Sequence, residues 1–288
     1  MVNMPRISRD WEPTETEYRS YDALNFHTLA DFHRDPRAWK DGAFNMEPNA
    51  AMMFGTAFHA AILEPLTFND RVAVFAPPVN SKTGEPFGVA TKAYKDAAAA
   101  FEAENVGKIA ITTADMATID AMEDSIRLHP IAFKILRGRR FALNELAVKG
   151  ELEVDGDMLP VKAKIDVYND SGLVDLKTTA QLCDASGRDR FRAACYDYKY
   201  ILQIAYYKLL LVKLFGVPET LPCYFVAAET TAPYRVAVYR VVDDVVSSAT
   251  LVIWAWLSEY AAALRSNVYT SKFDAIQIID KYNADWDI

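Results

Sequence analysis

Hydrophobic positions in the first half of the chain recur every three or four residues, which is the spacing of amphipathic helices. This spacing predicts helices at 28–32, 52–63, 92–104 and 112–128. Pro36 and Pro65 follow the first two helices and mark their ends. A short strand at 72–75 and a loop rich in Pro and Gly separate the second helix from the third. The first half is therefore expected to be mainly helical.

From residue 141 the pattern changes to the alternation that is typical of strands. It predicts three or four short strands across 141–177 and two more at 221–228 and 234–242. Long helical patterns follow at 198–215 and 247–264. Central strands with helices before and after them predict an α/β fold, with a single mixed central β-sheet flanked by helices.

The length of 288 residues and the hydrophobic content of 51% allow one large domain with a substantial core. Residues 1–20 are polar, contain Pro and are predicted to form an N-terminal arm. The rest, 21–288, is predicted to be one domain. It divides into a helical part, a core and a tail, at 21–135, 136–265 and 266–288.

Composition removes several classes of protein. No apolar run approaches the roughly 20 residues that span a bilayer, and the first residues lack the apolar stretch of a secretory signal. The three cysteines, Cys183, Cys195 and Cys223, are an odd number without CxxC spacing. They argue against a disulfide framework, a zinc site or an iron–sulfur cluster, and for a reducing cytosol.

The net charge of −8 is unfavourable for binding to DNA phosphates as a whole. It leaves room for a local basic groove, and any metal site would itself add carboxylates to the total. Two basic clusters stand out in this acidic chain. They consist of Arg137, Arg139 and Arg140, and of Arg188, Arg190, Arg192 and Lys199.

The turn formers at 169–172 lie between two apolar runs and predict a β-hairpin centred between residues 170 and 171. Asp166 and Asp175 then face each other on an exposed sheet face, with Cβ atoms roughly 5 Å apart. Two such carboxylates repel unless a cation lies between them. Alternation places Lys177 on the face of Asp175. A surface hairpin with an accidental salt bridge explains the same pattern.

Other residues carry candidate chemistry. His59 follows Gly55 by one helical turn, and a helix-interior Gly, which costs about 1 kcal/mol relative to Ala, suggests that something approaches this face closely. Gln203 and Tyr207 share one helix face, which Lys199 is expected to continue. Glu145 begins the first central strand. Taken singly, each is equally compatible with an ordinary structural or solvated position.

Taken together, the order GTAFH, a Glu, KIDVY, VDLKTT and QIAYY resembles the RecB-like branch of the PD-(D/E)XK nuclease superfamily. The chain is most similar to the exonuclease VIII (RecE-type) family of phage and prophage exonucleases. The resemblance runs from Tyr21-Asp22-Ala23-Leu24-Asn25 through GTAFHAAILEP at 55–65 to the central strands. The last seventy or so residues carry no matching motif.

The resemblance implies a restriction-endonuclease-like core and a role for each matching residue. Mg²⁺, for which Mn²⁺ can substitute, would be held by Asp166, Asp175 and the main-chain carbonyl of Leu176, and His59 would be a ligand of the same or of a second metal. Lys177 would orient or deprotonate the attacking water, while Glu145 would hold Lys177 or a water on the metal. Gln203 and Tyr207 would contact the DNA backbone or brace Lys177. The remaining DNA contacts would be Thr178, Lys199 and Arg188.

The function implied is an exodeoxyribonuclease that processively hydrolyses linear double-stranded DNA from free ends and leaves single strands for recombination. A homo-oligomer, a single-strand annealing recombinase as partner, no membrane, and a phage or prophage protein in the bacterial cytosol are the associated expectations. A RecB-like endonuclease, a catalytically silent DNA- or metal-binding module on the same fold, and a structural metal protein are the alternatives.

Overall fold

The computed structural model describes residue 5, residues 7–45 and residues 47–276. Its helices are α1 (Glu15–Ser20), α2 (Phe26–Arg34), α3 (Pro36–Lys40), α4 (Ala50–Leu63), α5 (Phe68–Arg71), α6 (Lys92–Glu104), α7 (Thr113–Leu128), α8 (Ala132–Arg137), α9 (Arg190–Asp197), α10 (Tyr200–Phe215) and α11 (Asp243–Ser266), followed by a 3₁₀ turn at Lys272–Asp274. Its strands are β1 (Val72–Phe75), β2 (Ile109–Thr112), β3 (Ala142–Val154), β4 (Asp157–Asn169), β5 (Gly172–Thr179), β6 (Cys223–Glu229) and β7 (Val236–Val241).

Five of these strands form one mixed sheet in the order β3-β4-β5-β6-β7. Neighbouring strands are antiparallel except β5 and β6, which are parallel. Successive residues of β5 enter different hydrophobic cores: Leu173 packs in the core with α10 and α11, and Val174 in the core with α4 and α7. β1 and β2 form a separate parallel pair. A mixed central sheet covered by helices on both faces confirms the predicted fold class.

The elements are longer than the sequence pattern suggested. The region 141–177 holds two strands of 13 residues and one of 8, instead of three or four short ones. α2 begins at Phe26 because the Asn25 side chain accepts a hydrogen bond from the Thr28 N–H and caps the helix. α10 begins at Tyr200, two residues later than predicted, because Lys199 adopts a left-handed conformation.

The N-terminal segment packs on β3 and β4. Ile7 is buried in the core, and Arg9 Nη2 donates a 2.7 Å hydrogen bond to the Asn144 carbonyl. The buried ammonium of Lys162 donates to the Tyr18 and Tyr21 carbonyls at 2.7 and 2.6 Å, which caps the carboxyl end of α1. At the other end of the chain, residues 277–288 of the predicted tail lie outside the described residues.

The final helix, α11, has 24 residues and is apolar enough, by length and composition, to cross a membrane. Its buried residues Val246, Ile253 and Leu257 pack in the same core as α10. It also contacts α2 and β3. α11 thus packs against the rest of this domain and contributes to its hydrophobic core.

The hairpin of β4 and β5 is short. Its register pairs Asn169 with Gly172 and Val167 with Val174, which confirms the turn predicted from the sequence. Gly172 is required there: its φ is +145°, and a Cβ would lie 2.3 Å from the Pro222 carbonyl oxygen. Pairing stops one step before Asp166 and Asp175, and the two strands separate from that point. The fork between them is where the candidate site lies.

Candidate active site

Three potential metal ligands meet beside the fork. His59 comes from α4, Glu145 from β3 and Asp166 from β4. Each offers a ligand atom that lies within 4.8 Å of the other two. His59 Nδ1 is 3.6 Å from Asp166 Oδ1 and 3.9 Å from Glu145 Oε1. Glu145, which the sequence placed near the lysine or a water, is therefore part of the ligand cluster.

The two acids of this cluster occupy an interruption in the β3–β4 ladder. Asn144 pairs with Val167 and Leu146 pairs with Ile165, while the position between them, Glu145 opposite Asp166, is unpaired. Glu145 has a φ of +49°, a left-handed conformation that costs a non-glycine residue roughly 1–2 kcal/mol. The backbone of β3 is therefore strained at the residue whose carboxylate lies in the site.

Asp175 and Lys177 lie on the neighbouring strand and form an ion pair of 2.7 Å between Oδ2 and Nζ. Lys177 Nζ also donates a 3.0 Å hydrogen bond to Gln203 Oε1, and Gln203 Nε2 donates to the Tyr207 hydroxyl at 2.8 Å. Asp175 is only 1% exposed, so the expectation of an exposed acid pair is wrong. The packing of α10 over the fork covers it.

The charges of the site shift its titrations. Burial raises the pKa of Asp166 to about 7, with further repulsion from Asp175 opposed by His59. Burial would also raise the pKa of Glu145, but its interaction with His59 and the charge of Lys164 lower it to about 2. Burial lowers the pKa of His59, yet Asp166 and Glu145 outweigh it and the net shift is upward. The cluster therefore holds a proton near neutral pH that a cation can displace.

The side chains fit a divalent cation. Two carboxylates and an imidazole form a compact donor set of the kind that such ions accept. Asp175 Oδ1 is also buried without a hydrogen-bond partner among the described residues. A buried carboxylate oxygen without a partner is costly, and a bound cation would relieve that cost.

The main chain of Leu176 contributes to the fork as well. Its N–H donates a 2.8 Å hydrogen bond to Asp166 Oδ2. Because the N–H and C=O of one strand residue point to the same edge, the Leu176 carbonyl faces the fork too. This orientation is compatible with the ligand role predicted for that carbonyl.

Several predicted DNA contacts lie elsewhere than expected. Gln203 and Tyr207 are 7% and 8% exposed, and Gln203 bonds to Lys177 while Tyr207 bonds to Gln203, so the arrangement fits the second expected role, bracing of Lys177, and not a surface contact. Lys199 does not continue their helix face, because it is the left-handed residue that precedes α10, with φ +59° and an exposed side chain. Arg188 is exposed in the loop before α9.

Thr178 lies against α4. A Cβ built on Gly55 would meet only the Thr178 hydroxyl, at an ordinary contact distance of 3.9 Å. Among the described residues, no atom therefore comes close enough to require a glycine at position 55. The surface beside it is open to whatever approaches the ligand cluster.

Three functional candidates were not found from the sequence. Lys164 Nζ lies 3.1 Å from Glu145 Oε2 and 3.4 Å from Glu15 Oε2 of α1, so Glu145 pairs with Lys164 and not with Lys177. The Lys177 ammonium lies over the Tyr200 ring, 4.6 Å from its centre. Partial burial and the charge of Lys177 lower the pKa of His27. Of these, only Lys164 lay within a recognised motif, KIDVY.

This fold and this arrangement of acids and lysine on separating strands define the PD-(D/E)XK superfamily of nucleases. The family described as "PDDEXK-like domain of unknown function (DUF3799)" matches residues 16–280, and the chain belongs to it. No curated protein matches the sequence.

A solved structure agrees with the fold. A structure from Eubacterium rectale named "Putative exonuclease" is 15% identical, covers 94% of this chain and 96% of its own, and superimposes with a TM-score of 0.59. The crystal structure of SSO0001 is 16% identical over 54% of this chain and 69% of its own, with a TM-score of 0.25 that supports no argument. Family and fold together support a nuclease; the RecE-type branch remains a prediction.

Proposed function

We propose that the protein is a metal-dependent exodeoxyribonuclease that hydrolyses linear double-stranded DNA from its ends. The observation that carries the proposal is the compact donor set of His59, Glu145 and Asp166 beside the Lys177–Asp175 pair. Hydrolysis of a phosphodiester passes through a transition state that gains negative charge. A cation bound by these acids, next to the ammonium of Lys177, would stabilise that charge.

The cation is proposed to be Mg²⁺, with Mn²⁺ able to substitute. His59, Glu145 and Asp166 would hold it, with Asp175 and the Leu176 carbonyl at the same fork. When bound, such a cation supplies charge stabilisation to the phosphate and acidifies a water molecule. Lys164 holds Glu145 Oε2, which leaves Oε1 on the side of His59.

Lys177 has a positioning and electrostatic role in this proposal. Two of its ammonium protons are directed to Asp175 Oδ2 and Gln203 Oε1, and an ammonium has three. The third is available to the scissile phosphate or to the attacking water. Because burial lowers the pKa of Lys177 less than Asp175 and Asp166 raise it, the side chain stays protonated and donates. This favours orienting the water over deprotonating it.

The test is digestion of matched DNA substrates with purified protein and Mg²⁺. Linear duplex should be degraded, covalently closed circles should be spared, and EDTA or Asp166→Asn should stop the reaction. Cleavage of closed circles would indicate a RecB-like endonuclease instead. Binding of duplex without cleavage under any divalent metal would indicate the silent DNA-binding module.

The biological setting is proposed from the family resemblance. Single strands left by digestion suit an annealing recombinase as partner, and an enzyme that stays on a DNA end gains from a homo-oligomer around it. We propose that the protein is encoded by a phage or prophage and works in the bacterial cytosol, together with such a recombinase. Mass measurement in solution tests the oligomer directly.

A further inference from the structure

Two tyrosines connect the catalytic lysine to the protein surface. The Tyr200 ring covers the Lys177 ammonium at 4.6 Å, and the Tyr198 ring stacks on Tyr200 with 5.7 Å between centres and 28° between planes. Tyr200 packs inward against Phe191 and Phe225. Tyr198 is 68% exposed, so its outer ring face is open.

The backbone is shaped to bring these rings together. Residues two apart in a continuous helix point to opposite sides and cannot stack. Lys199 breaks the helix between them with φ +59° and ends α9 before α10 starts. The left-handed conformation is unfavourable for lysine. Its presence at Lys199 indicates that the fold favours stacking of the two rings over a continuous helix through this position.

Charge beside the ring pair favours nucleic acid. Lys199 is exposed between the two tyrosines, and Arg188, Arg190 and Arg192 are exposed on the segment that leads to them; with Asp184, Asp189 and Asp197 in the same segment, the cations exceed the acids by one. Exposed aromatic rings flanked by cations are the features that bind single-stranded DNA, because bases stack on the rings while cations meet the phosphates. In a duplex the base faces are covered by their neighbours, so only an unpaired base can use such a ring.

We propose that Tyr198, supported by Tyr200, is a stacking platform for an unpaired nucleobase of the DNA strand next to the cleavage site, and that Lys199 contacts the adjoining phosphate. This rests on the proposed nuclease function and adds the substrate form: a single-stranded segment at the site. Tyr200 lies over Lys177, Tyr198 stacks on Tyr200, and the unpaired base would stack in turn on Tyr198.

The test measures DNA binding without metal. Duplexes with a short 2-aminopurine-containing overhang, on either the 3′ or the 5′ end, and a blunt duplex are titrated with protein in EDTA. Tyr198→Leu should weaken overhang binding about 5- to 100-fold, the range for loss of one base–aromatic stack, and abolish the 2-aminopurine quenching. Tyr198→Phe keeps the ring and should bind within about twofold of the parent protein.

Two matched variants separate the contributions. Tyr196 is 66% exposed, and among the described residues its ring has no aromatic partner, so Tyr196→Leu should leave overhang binding unchanged. Lys199→Gly favours the same left-handed backbone and removes only the charge. It should keep the quenching and reduce the salt dependence of binding by about one counterion.

Three results would overturn the platform: unchanged overhang binding in Tyr198→Leu, equal losses for overhang and blunt DNA, or a change in oligomeric mass without a change in DNA affinity. The last would assign the tyrosines to a protein contact. Tyr198→Gln repeats the test if the Leu variant does not fold. Failure of the parent protein to hydrolyse DNA would refute the nuclease function separately, since the binding assay contains no metal.

Discussion

Glu145 and Asp166 face each other at the single unpaired position between Asn144 and Leu146 of the β3–β4 ladder. All other residues of β3, from Ala142 to Val154, are paired with a residue of β4. At this step the ladder is open, and two carboxylates are presented together with His59. Because like charges this close repel, a cation bound between them should stabilise the folded protein.

Divalent metal should stabilise the folded protein. At a metal concentration of 100 times its dissociation constant, the free energy of unfolding should rise by about 2.7 kcal/mol. Thermal unfolding with Mg²⁺, Mn²⁺ and EDTA measures the effect. Asp166→Asn and Glu145→Gln should lose it, whereas Asp170→Asn, in the hairpin turn outside the donor set, should retain it. An equal response in all three variants would place the metal elsewhere.

Replacing Lys177 by Met should destabilise the metal-free protein by roughly 3–5 kcal/mol, because Asp175 is left as an unpaired buried charge. Adding Asp175→Asn to that variant should recover most of the loss. Urea unfolding of the two single variants and the double variant provides the thermodynamic cycle. Additive losses would show that the two side chains do not stabilise each other.

Gly55→Ala should make the protein more stable, by up to about 1 kcal/mol, because the helix gains a better former and the new methyl meets only Thr178. The same methyl lies beside the ligand cluster, so DNA hydrolysis should fall at least several-fold. Melting temperature and kcat/KM are measured together. Gly88→Ala, at a loop position with open space around it, is the control. A more stable enzyme of full activity would show that no substrate approaches Gly55.

The Glu229–Arg235 pair should make stability depend on pH. Hydrogen bonds from Arg235, opposed by burial and aided by the Leu182 N–H, lower the pKa of Glu229. A lowered folded-state pKa adds stability above the unfolded-state pKa of about 4.3, and that stability is lost as the pH falls through the folded-state value. The difference in unfolding free energy between the parent protein and Glu229→Gln should therefore be larger at pH 7 than at pH 3. A constant difference would contradict this.

Local rules predicted the parts of the site that depend on local geometry. Turn formers at 169–172 set the hairpin register, which the structure reproduces, and alternation placed Lys177 with Asp175. The i,i+4 spacing of Gln203 and Tyr207 correctly placed the two side chains together. Each of these rests on a repeat of the backbone that the sequence displays directly.

Features set by tertiary contacts could not be predicted in this way. Exposure of the Asp175 face depended on where α10 packs, and that packing decides between the two roles expected of Gln203, because it buries Gln203 against Lys177. Glu145 and Lys199 adopt left-handed conformations, which glutamate and lysine rarely do. The residue types at these positions therefore gave no reason to predict a positive φ. Lys164 is shared between Glu145 of the ligand cluster and Glu15, which is 149 positions away in the sequence.

The contact of Lys162 with α1 has a consequence for how the chain matures. The residues it caps precede it by 141 to 144 positions, so they leave the ribosome long before their partner strand exists. Contacts of such long range form late, since the intervening chain must first be ordered. The segment therefore docks late, and its docking carries Glu15 to Lys164. A nascent or truncated chain without that docking would hold the buried Lys162 ammonium without its acceptors and Lys164 without Glu15, so both contacts depend on completion of the sheet.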